Sequence, residues 1–126
     1  MIGPSLVAAA LVALLVASPA ASKPADPVPD RVMVRGSEFD LVLSKARVKP
    51  GRVIIQFVNA GEDPHDLRIA KLGQAGEFGF GEVGPGEYES LDTRLRKRST
   101  YLLWCSLSDH RELGMEATLR TKKRRR

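Results

Sequence analysis

Residues 101–118, YLLWCSLSDHRELGMEAT, hold most of the side chains with which this chain could do chemistry. They include the only cysteine of the chain, Cys105, one of its two histidines, His110, and Met115. The spacing is Cys-x4-His-x4-Met, after an apolar run and before a strand-like alternation. A thiolate, an imidazole and a thioether on one short loop can converge on a single ion. The other histidine of the chain, His65, can supply one more nitrogen.

This combination favours a metal site over core packing. Taken singly, a lone cysteine is usually a small buried hydrophobe, and a lone methionine usually fills a gap in the core. The order of both histidines and the only cysteine, with a methionine at loop spacing, is hard to explain as core filling. Two imidazoles and a thiolate in a trigonal plane, with a weak axial methionine, form a blue-copper electron-transfer site. The sequence therefore predicts one type 1 copper ion held by His65, Cys105, His110 and Met115.

Zinc is the competing metal for cysteine and histidine ligands. Structural zinc sites prefer four strong ligands, cysteine or histidine, and methionine is a poor fourth ligand. Copper also binds more tightly than zinc in the usual order of affinities. Copper is therefore the predicted cofactor.

The first 22 residues have the pattern of an export signal. They contain no charged side chain, and residues 5–18 are almost wholly Leu, Val and Ala. Small residues follow at 18–22, which suits a cleavage site. The apolar run is shorter than the roughly 20 residues that a membrane span needs. We expect a signal peptide at 1–22, a linker at 23–30, and export to the periplasm or to the extracellular or cell-wall space, with no membrane span in the mature chain.

Export changes how the charge and the cysteine are interpreted. The formal net charge is +5, with basic clusters at 94–98 and in a C-terminal tail at 122–126. Export argues against nucleic acid as a partner, so the charge predicts attraction to an acidic redox partner or an anionic surface. A single cysteine in an exported chain cannot form an internal disulfide. It is a free thiol, an intermolecular bridge or a metal ligand.

From residue 31 onward the sequence has the pattern of short strands. Alternating or β-branched runs predict strands at 31–35, 38–43, 52–59, 65–71, 88–95, 99–107 and 115–121. The interval 72–86 contains six glycines and one proline, which predicts an irregular connection. Helix should be limited to about one turn, in this interval or near Arg111, because no sustained apolar stripe has the helical period. These signals predict an all-β Greek-key β-sandwich of about seven to eight strands over residues 31–121.

Two segments resemble the cupredoxins, in particular the small bacterial plastocyanin- and azurin-like proteins. They are VKPGRVIIQFVNAGEDPHDLRI at 48–69 and YLLWCSLSDHRELGM at 101–115, and the resemblance extends over about 31–121. It implies a cupredoxin-like sandwich with one ligand on the upstream strand and three on or beside the ligand loop. These ligands are His65, Cys105, His110 and Met115. Gly114, directly before Met115, and Ser106, a hydroxyl residue directly after Cys105, also match residues that are common at these places in the family.

The sequence departs from this resemblance at two places. Many relatives have Pro-Gly before the loop histidine, where this chain has Ser108 and Asp109. The residue after the first histidine is often Asn, which ties the two ligand loops together, whereas this chain has Asp66. An ionised aspartate only accepts hydrogen bonds, so Asp66 is expected to take its donor from Ser106 or from a backbone N–H. If both aspartates are ionised, they should favour Cu(II) over Cu(I).

The predicted function is that of an exported, monomeric blue copper protein, an outer-sphere one-electron carrier cycling between Cu(II) and Cu(I). His110 is the expected electron port, with Leu107 and Leu113 as an apolar docking patch. An enzyme is not expected, because a catalytic copper needs histidines beyond the two that this chain has. A copper chaperone or storage protein is the alternative. A metal-free immunoglobulin-like interaction module is a third, which leaves Cys105 and His110 unexplained.

Overall fold

The computed structural model describes residues 1–20 and 27–123 of the chain. Residues 1–20 are exposed and have no regular secondary structure, and all of the described strands lie between residues 30 and 121. Among the described residues, no helix is long and apolar enough to cross a membrane. The predicted cleavage region at 18–22, the linker at 23–30 and the tail at 122–126 lie partly outside the described residues.

Nine strands form two packed sheets. In chain order they are β1 (Asp30–Ser37), β2 (Asp40–Leu43), β3 (Arg47–Val48), β4 (Gly51–Asn59), β5 (His65–Lys71), β6 (Phe78–Val83), β7 (Tyr88–Leu95), β8 (Thr100–Trp104) and β9 (Glu116–Thr121). One sheet has the order β2-β1-β4-β7, and the other has the order β3-β9-β8-β5-β6. Because the chain passes repeatedly from one sheet to the other, the two sheets share one core. This arrangement confirms the predicted all-β sandwich.

The core follows the two-residue period of the strands. In β4, Val53, Ile55 and Phe57 are fully buried, while Ile54 and Gln56 between them are only half-buried. Successive side chains of a strand point to opposite faces of the sheet, so one face of β4 packs inward over its whole length. Burying a side chain of this size contributes about 1.5–3 kcal/mol relative to leaving it exposed. The runs of β-branched and aromatic residues thus determine which face of each sheet meets the other.

Because of the strand directions, each connection lies at one of two ends of the sandwich, called here the upper end and the lower end. The upper end carries the β1–β2, β4–β5, β6–β7 and β8–β9 connections, which are residues 38–39, 60–64, 84–87 and 105–115. The lower end carries residues 44–46, 49–50, 72–77, 96–99 and the residues that follow β9. Hydrogen bonds across the upper end include Ala60 N–H to the Gly36 carbonyl at 2.8 Å. Side chains from distant parts of the sequence therefore meet at the upper end.

The prediction of an irregular connection over 72–86 was wrong in part, because this interval contains β6. Its sequence, FGFGEV, alternates large and small residues, and it pairs antiparallel with β5. Gly79 has a φ of +144°, and a Cβ there would overlap the carbonyl oxygen of Leu67. Glycine is thus needed because two backbones approach closely, while Phe80 and Val83 are buried in the core. The high glycine content hid a strand.

Smaller differences concern one short strand, the ends of strands and the residues around Arg111. The short strand β3 pairs parallel with β9 and lies between two predicted strands, where no strand was predicted. Strand β8 ends at Trp104, three residues before the predicted end, because the chain leaves the sheet at Cys105. Glu38 and Phe39, predicted to be in a strand, instead form the connection between β1 and β2. The residues around Arg111 form turns and not a helix.

Asp30, at the lower end of β1, accepts several hydrogen bonds, and its ionisation is expected to contribute to the stability of the fold. Its carboxylate accepts hydrogen bonds from Lys45 Nζ at 2.5 Å and from the N–H groups of Lys49 at 2.8 Å and Arg31 at 2.9 Å. Burial opposes ionisation, but these contacts outweigh it and lower the pKa of Asp30 from 3.8 to about 2. A depressed pKa adds stability that is present above the unfolded value of 3.8 and is lost as pH falls toward 2.

Asp30→Asn is therefore expected to lower the free energy of unfolding at neutral pH by about 1–2 kcal/mol, since a shift of one pKa unit corresponds to about 1.4 kcal/mol. The difference from the wild type should shrink as pH falls from about 4 to about 2, which urea unfolding at several pH values measures. Asp92→Asn is the matched control. Asp92 forms a pair with Arg52 that is largely exposed, and such pairs contribute little. Equal effects of the two substitutions would contradict this account of Asp30.

Candidate metal centre

Three buried side chains converge at the upper end, and they are three of the four predicted ligands. His65 is the first residue of β5, Cys105 directly follows β8, and His110 lies in the β8–β9 connection. The two Nδ1 atoms are 3.2 Å apart, and the Cys105 Sγ lies 3.6 Å from Nδ1 of His110 and 3.9 Å from Nδ1 of His65. His65 and Cys105 are fully buried, and His110 is 9% exposed. The three side chains form a group that could hold a metal ion.

The orientation of Cys105 follows from the strand before it. Tyr101 and Leu103 of β8 point into the core, and Cys105 is the next residue on the same two-residue period. Its N–H donates to the carbonyl of Met115 at 3.1 Å. Burial is the main cause that raises the pKa of the Cys105 thiol, and the Asp66 carboxylate adds to it. The thiol therefore keeps its proton at neutral pH, and a metal has to displace that proton to bind the thiolate.

The β8–β9 connection is braced by its own backbone. The His110 N–H donates to Leu107 O at 3.1 Å, and the Met115 N–H donates to His110 O at 3.1 Å. Gly114 has a φ of +118° and approaches the carbonyl oxygen of Phe39 so closely that a Cβ would lie 3.1 Å from it. A side chain at this position would strain the backbone. The turn into Met115 thus needs glycine, and backbone hydrogen bonds hold the loop in place.

Met115, the predicted fourth ligand, lies next to two of the other three. It is fully buried, directly precedes β9 and belongs to the same core cluster as Cys105. Its backbone is hydrogen bonded to both Cys105 and His110. Its role as a ligand stays a prediction.

Glu38 also contacts the candidate site, and no pattern in the sequence pointed to it. Its Oε1 lies 3.0 Å from Nε2 of His65 and accepts the N–H groups of Asp63 at 2.7 Å and Glu62 at 2.9 Å. The pKa of Glu38 is lowered to about 2. The hydrogen bond from the Asp63 N–H is the largest cause, and the contacts with His65 and Glu62 lower the pKa further, whereas burial opposes the shift. Gly61 leaves the space for this carboxylate, since a Cβ there would overlap it.

The Glu38 contact determines which nitrogen of His65 carries a proton. An ionised carboxylate only accepts hydrogen bonds, so Nε2 of a neutral His65 carries the hydrogen and Nδ1 presents its lone pair to Cys105 and His110. A carboxylate behind a metal-binding histidine fixes the orientation of the ring and raises its basicity as a ligand. No local pattern joins Glu38 to His65, because Glu38 lies in the β1–β2 connection, His65 begins β5, and the two meet only through the strand order.

Asp66 ties the start of β5 to the ligand loop, as the sequence predicted. The Ser106 N–H donates to one carboxylate oxygen at 2.6 Å, and the Ser106 hydroxyl donates to the other. Both donors that had been considered are thus used together. Asp66 is buried, so the residue next to His65 is fixed to the residue next to Cys105.

The residues predicted to surround the electron port lie at the upper end. Leu113 is 52% exposed, Leu107 is half-buried, and Asp109 is exposed. The ring of Phe39 lies against His110, with centroids 4.9 Å apart. The ring of Trp104, which precedes Cys105, is covered by the Arg111 guanidinium at 4.5 Å.

The donor set fits copper. A point equidistant from the two Nδ1 atoms and the sulfur lies about 2.1 Å from each, given their separations, and first-row metals bind nitrogen and sulfur at about 2.0–2.3 Å. Two imidazoles and one thiolate can therefore meet at one ion without moving apart. This combination with a weak axial thioether suits copper better than zinc, which prefers four strong ligands.

No protein-family model matches the chain, and no curated protein matches it by sequence. Solved structures match its fold. The structure of dithionite-reduced auracyanin from the photosynthetic bacterium Roseiflexus castenholzii has a TM-score of 0.58 and 15% identity, over 75% of this chain and 98% of that one. Auracyanin B has a TM-score of 0.61 and 19% identity, over 78% of this chain and 93% of that one.

Two enzymes have the same fold in part of their length. They are a multicopper oxidase, with a TM-score of 0.52 and 18% identity, and the copper nitrite reductase of Nitrosomonas europaea, with a TM-score of 0.56 and 15% identity. The matches cover 72% and 75% of this chain but only 41% and 42% of those proteins. At such identities the similarity shows the fold. The chain has the cupredoxin-like β-sandwich that the sequence predicted.

Proposed function

We propose that this protein is an exported blue copper protein that carries one electron at a time. His65, Cys105, His110 and Met115 hold one type 1 copper ion, which supplies the Cu(II)/Cu(I) couple. The observation that carries the proposal is the buried triangle of two Nδ1 atoms and one Sγ, with sides of 3.2, 3.6 and 3.9 Å. The three residues of the triangle lie up to 45 positions apart in the sequence. The chain has only two histidines, and both are part of the triangle.

The residues of this chain keep the site rigid and dry. Bound copper would be favoured as Cu(I) by the Cys105 thiolate and the Met115 thioether, while the two imidazoles would suit either oxidation state. Glu38 holds His65, while the backbone bonds of Met115 hold Cys105 and His110 in place. Because these contacts hold the ligand residues, little has to move when the electron does. His110, the most exposed of the four, provides the shortest route to the surface.

An electron carrier fits the chain better than an enzyme. A copper that binds and converts a substrate needs histidine ligands of its own, and the chain has two histidines in all. Both lie in the triangle. The chain also spans only about two-fifths of the two copper enzymes that share its fold.

Addition of Cu(II) to the purified metal-free protein tests the proposal. We expect an intense blue colour, one copper per chain and a reversible one-electron wave in voltammetry. A copper chaperone or storage protein would instead hold exchangeable Cu(I) without a reversible couple. A colourless product with no couple would rule out the proposed electron carrier.

Export is part of the proposal and is tested separately. The uncharged apolar segment and the small residues at 18–22 support cleavage there, leaving a mature N-terminus between residues 21 and 23. Intact mass of the protein recovered from the exported fraction measures this. A full-length product retained in the cytoplasm would contradict it.

Glu38→Gln is expected to raise the reduction potential of the copper site. The carboxylate lies behind His65, so its negative charge stabilises Cu(II) more than Cu(I), and its removal favours Cu(I). The amide still accepts a hydrogen bond, so the blue colour should persist. Voltammetry of the copper-loaded variant measures the change.

Glu87→Gln is the matched control for this substitution. Glu87 also lies at the upper end and also accepts a backbone N–H, from Gly84 at 3.0 Å, but its hydrogen bond does not reach His65. Its potential should stay close to that of the wild type. A Glu38→Gln protein with an unchanged potential would show that the carboxylate has no influence on the metal.

A further inference from the structure

The net charge of +5 hides an uneven distribution of charge between the two ends. In the connections of the upper end, every charged residue except Arg111 is acidic: Glu38, Glu62, Asp63, Glu87, Asp109 and Glu112. At the lower end the described connections carry Lys45, Lys49 and the basic runs 96–98 and 122–123, against the single acid Glu77. The sequence order scatters these charges, and the strand order separates them.

The one cation in the upper-end connections, Arg111, contacts Trp104 and Glu116. The guanidinium of Arg111 covers Trp104 at 4.5 Å, and its Nε lies 3.3 Å from the Glu116 carboxylate. Part of its charge is thus offset by Glu116. Asp109 and Glu112 are exposed on either side of His110 in the sequence, and Glu62 and Asp63 are exposed on the facing β4–β5 loop. The surface around His110 is therefore negative.

An apolar spot lies among these carboxylates. Leu113 is half exposed and Leu107 is half-buried, and both belong to the same loop as His110. A small apolar area with a charged rim is the usual anatomy of a transient protein contact. Here the charged rim is negative, so a partner that docks on it should present positive charge.

Distance decides whether the local or the net charge acts on a partner. Strand β4 has nine residues, and at about 3.3 Å per residue it separates the two ends by roughly 30 Å. The Debye length is about 8 Å at physiological salt, so the field of the lower end is screened over several Debye lengths before it reaches the port. Asp109 and Glu112 belong to the same loop as His110, so their carboxylates are much closer to the port than the charges of the lower end.

We propose that the upper end docks onto a positively charged surface of a redox partner, with His110 at the centre of the contact. The proposal rests on the proposed electron-carrier function, and it replaces the acidic partner expected from the net charge. One electron leaves Cu(I), which becomes Cu(II), and reduces an acceptor in the partner. The transfer moves no atoms and needs no further reagent.

Stopped-flow oxidation of the reduced, copper-loaded protein by two small complexes tests the sign of the surface. One oxidant is the cationic tris(phenanthroline)cobalt(III), and the other is the anionic hexacyanoferrate(III). We expect the rate with the cation to fall by about tenfold from low to high salt and the rate with the anion to rise, because steering of opposite charges is worth at least this much. The opposite pattern, which the net charge would produce, overturns the proposal.

Two double variants separate the ends of the molecule. Glu62→Gln with Glu112→Gln should reduce the salt dependence of the reaction with the cation by several fold and leave the blue absorption unchanged. Lys122→Gln with Lys123→Gln, at the lower end, should leave that salt dependence as in the wild type. A lower-end variant with the larger effect would contradict the proposed docking surface.

A second measurement does not depend on copper. Titration of the isotope-labelled metal-free protein with oligolysine should shift the amide NMR signals of residues 60–64 and 105–115, whereas oligoglutamate should not. Shifts by oligoglutamate at these residues would overturn the docking surface even if the protein turns blue with copper. Failure of the colour test alone would overturn the electron-carrier function and leave this outcome to decide the sign of the surface.

Discussion

Replacing Cys105 with alanine is expected to abolish the blue colour of the copper-loaded protein completely. The intense absorption requires a thiolate bound to Cu(II), and Cys105 is the only cysteine of the chain. Its Sγ is one corner of the proposed site, 3.6 and 3.9 Å from the two histidine nitrogens. The protein should remain a folded β-protein, because one small buried group is lost from a core that extends over both sheets. Visible and far-ultraviolet spectroscopy measure the two properties side by side.

Leu103→Ala is the control that separates loss of a ligand from loss of stability. Leu103 is fully buried two residues before Cys105, on the same face of the strand, and truncation of such a leucine costs about 2–5 kcal/mol. This variant should be less stable than Cys105→Ala yet should turn blue with copper at a temperature where it is folded. A blue Cys105→Ala protein would refute the entire metal site.

Replacing either histidine with glycine should also remove the colour, but added imidazole should restore it in only one of the two variants. His110 is 9% exposed and lies in a loop at the upper end, so an imidazole from solution can occupy the space that its ring leaves. His65 is fully buried, and Glu38 and the β4–β5 loop close over its outer nitrogen. Titration of each copper-loaded variant with imidazole, followed in the visible spectrum, measures the difference.

Met115→Leu tests whether these effects reflect the positions of the histidines and not a general weakening of the loop. The substitution keeps the volume nearly constant, and such exchanges usually cost less than about 1.5 kcal/mol. Because methionine is a weak axial ligand, this variant should stay blue without imidazole. If imidazole restores His65→Gly as well as His110→Gly, then the proposed difference in access to the two positions is wrong.

The sequence predicted the elements whose signals are local. Strand β4 was evident because β-branched and aromatic residues fill five of its nine positions, and the loop from Cys105 to Met115 was evident because rare residue types occur at loop spacing. Strand β6 was missed because glycine, which the close approach to β5 requires at position 79, is also typical of irregular loops. The physical requirement at Gly79, space for the Leu67 carbonyl, appears only when two strands are side by side.

Glu38 shows the same limit at the site itself. It reaches His65 from another loop, 27 positions earlier in the chain, and the contact exists because β1 and β4 run parallel and end at the same edge. By contrast, Asp66 could be paired with Ser106 in advance, because each directly follows a predicted ligand. Like the contact between Glu38 and His65, the distribution of charge could not be predicted from the sequence. Composition gives its sum, and only the strand order shows at which end each charge lies.

One of the proposed ligand atoms carries a proton that a metal ion has to replace. Glu38 keeps the hydrogen of a neutral His65 on Nε2, which leaves the lone pair of its Nδ1 to bind a metal. Burial raises the pKa of the Cys105 thiol, so a copper ion has to displace the thiol proton before it can bind the sulfur. Metal loading is thus an exchange of a proton for a metal ion, and it becomes more favourable as the surroundings become less acidic.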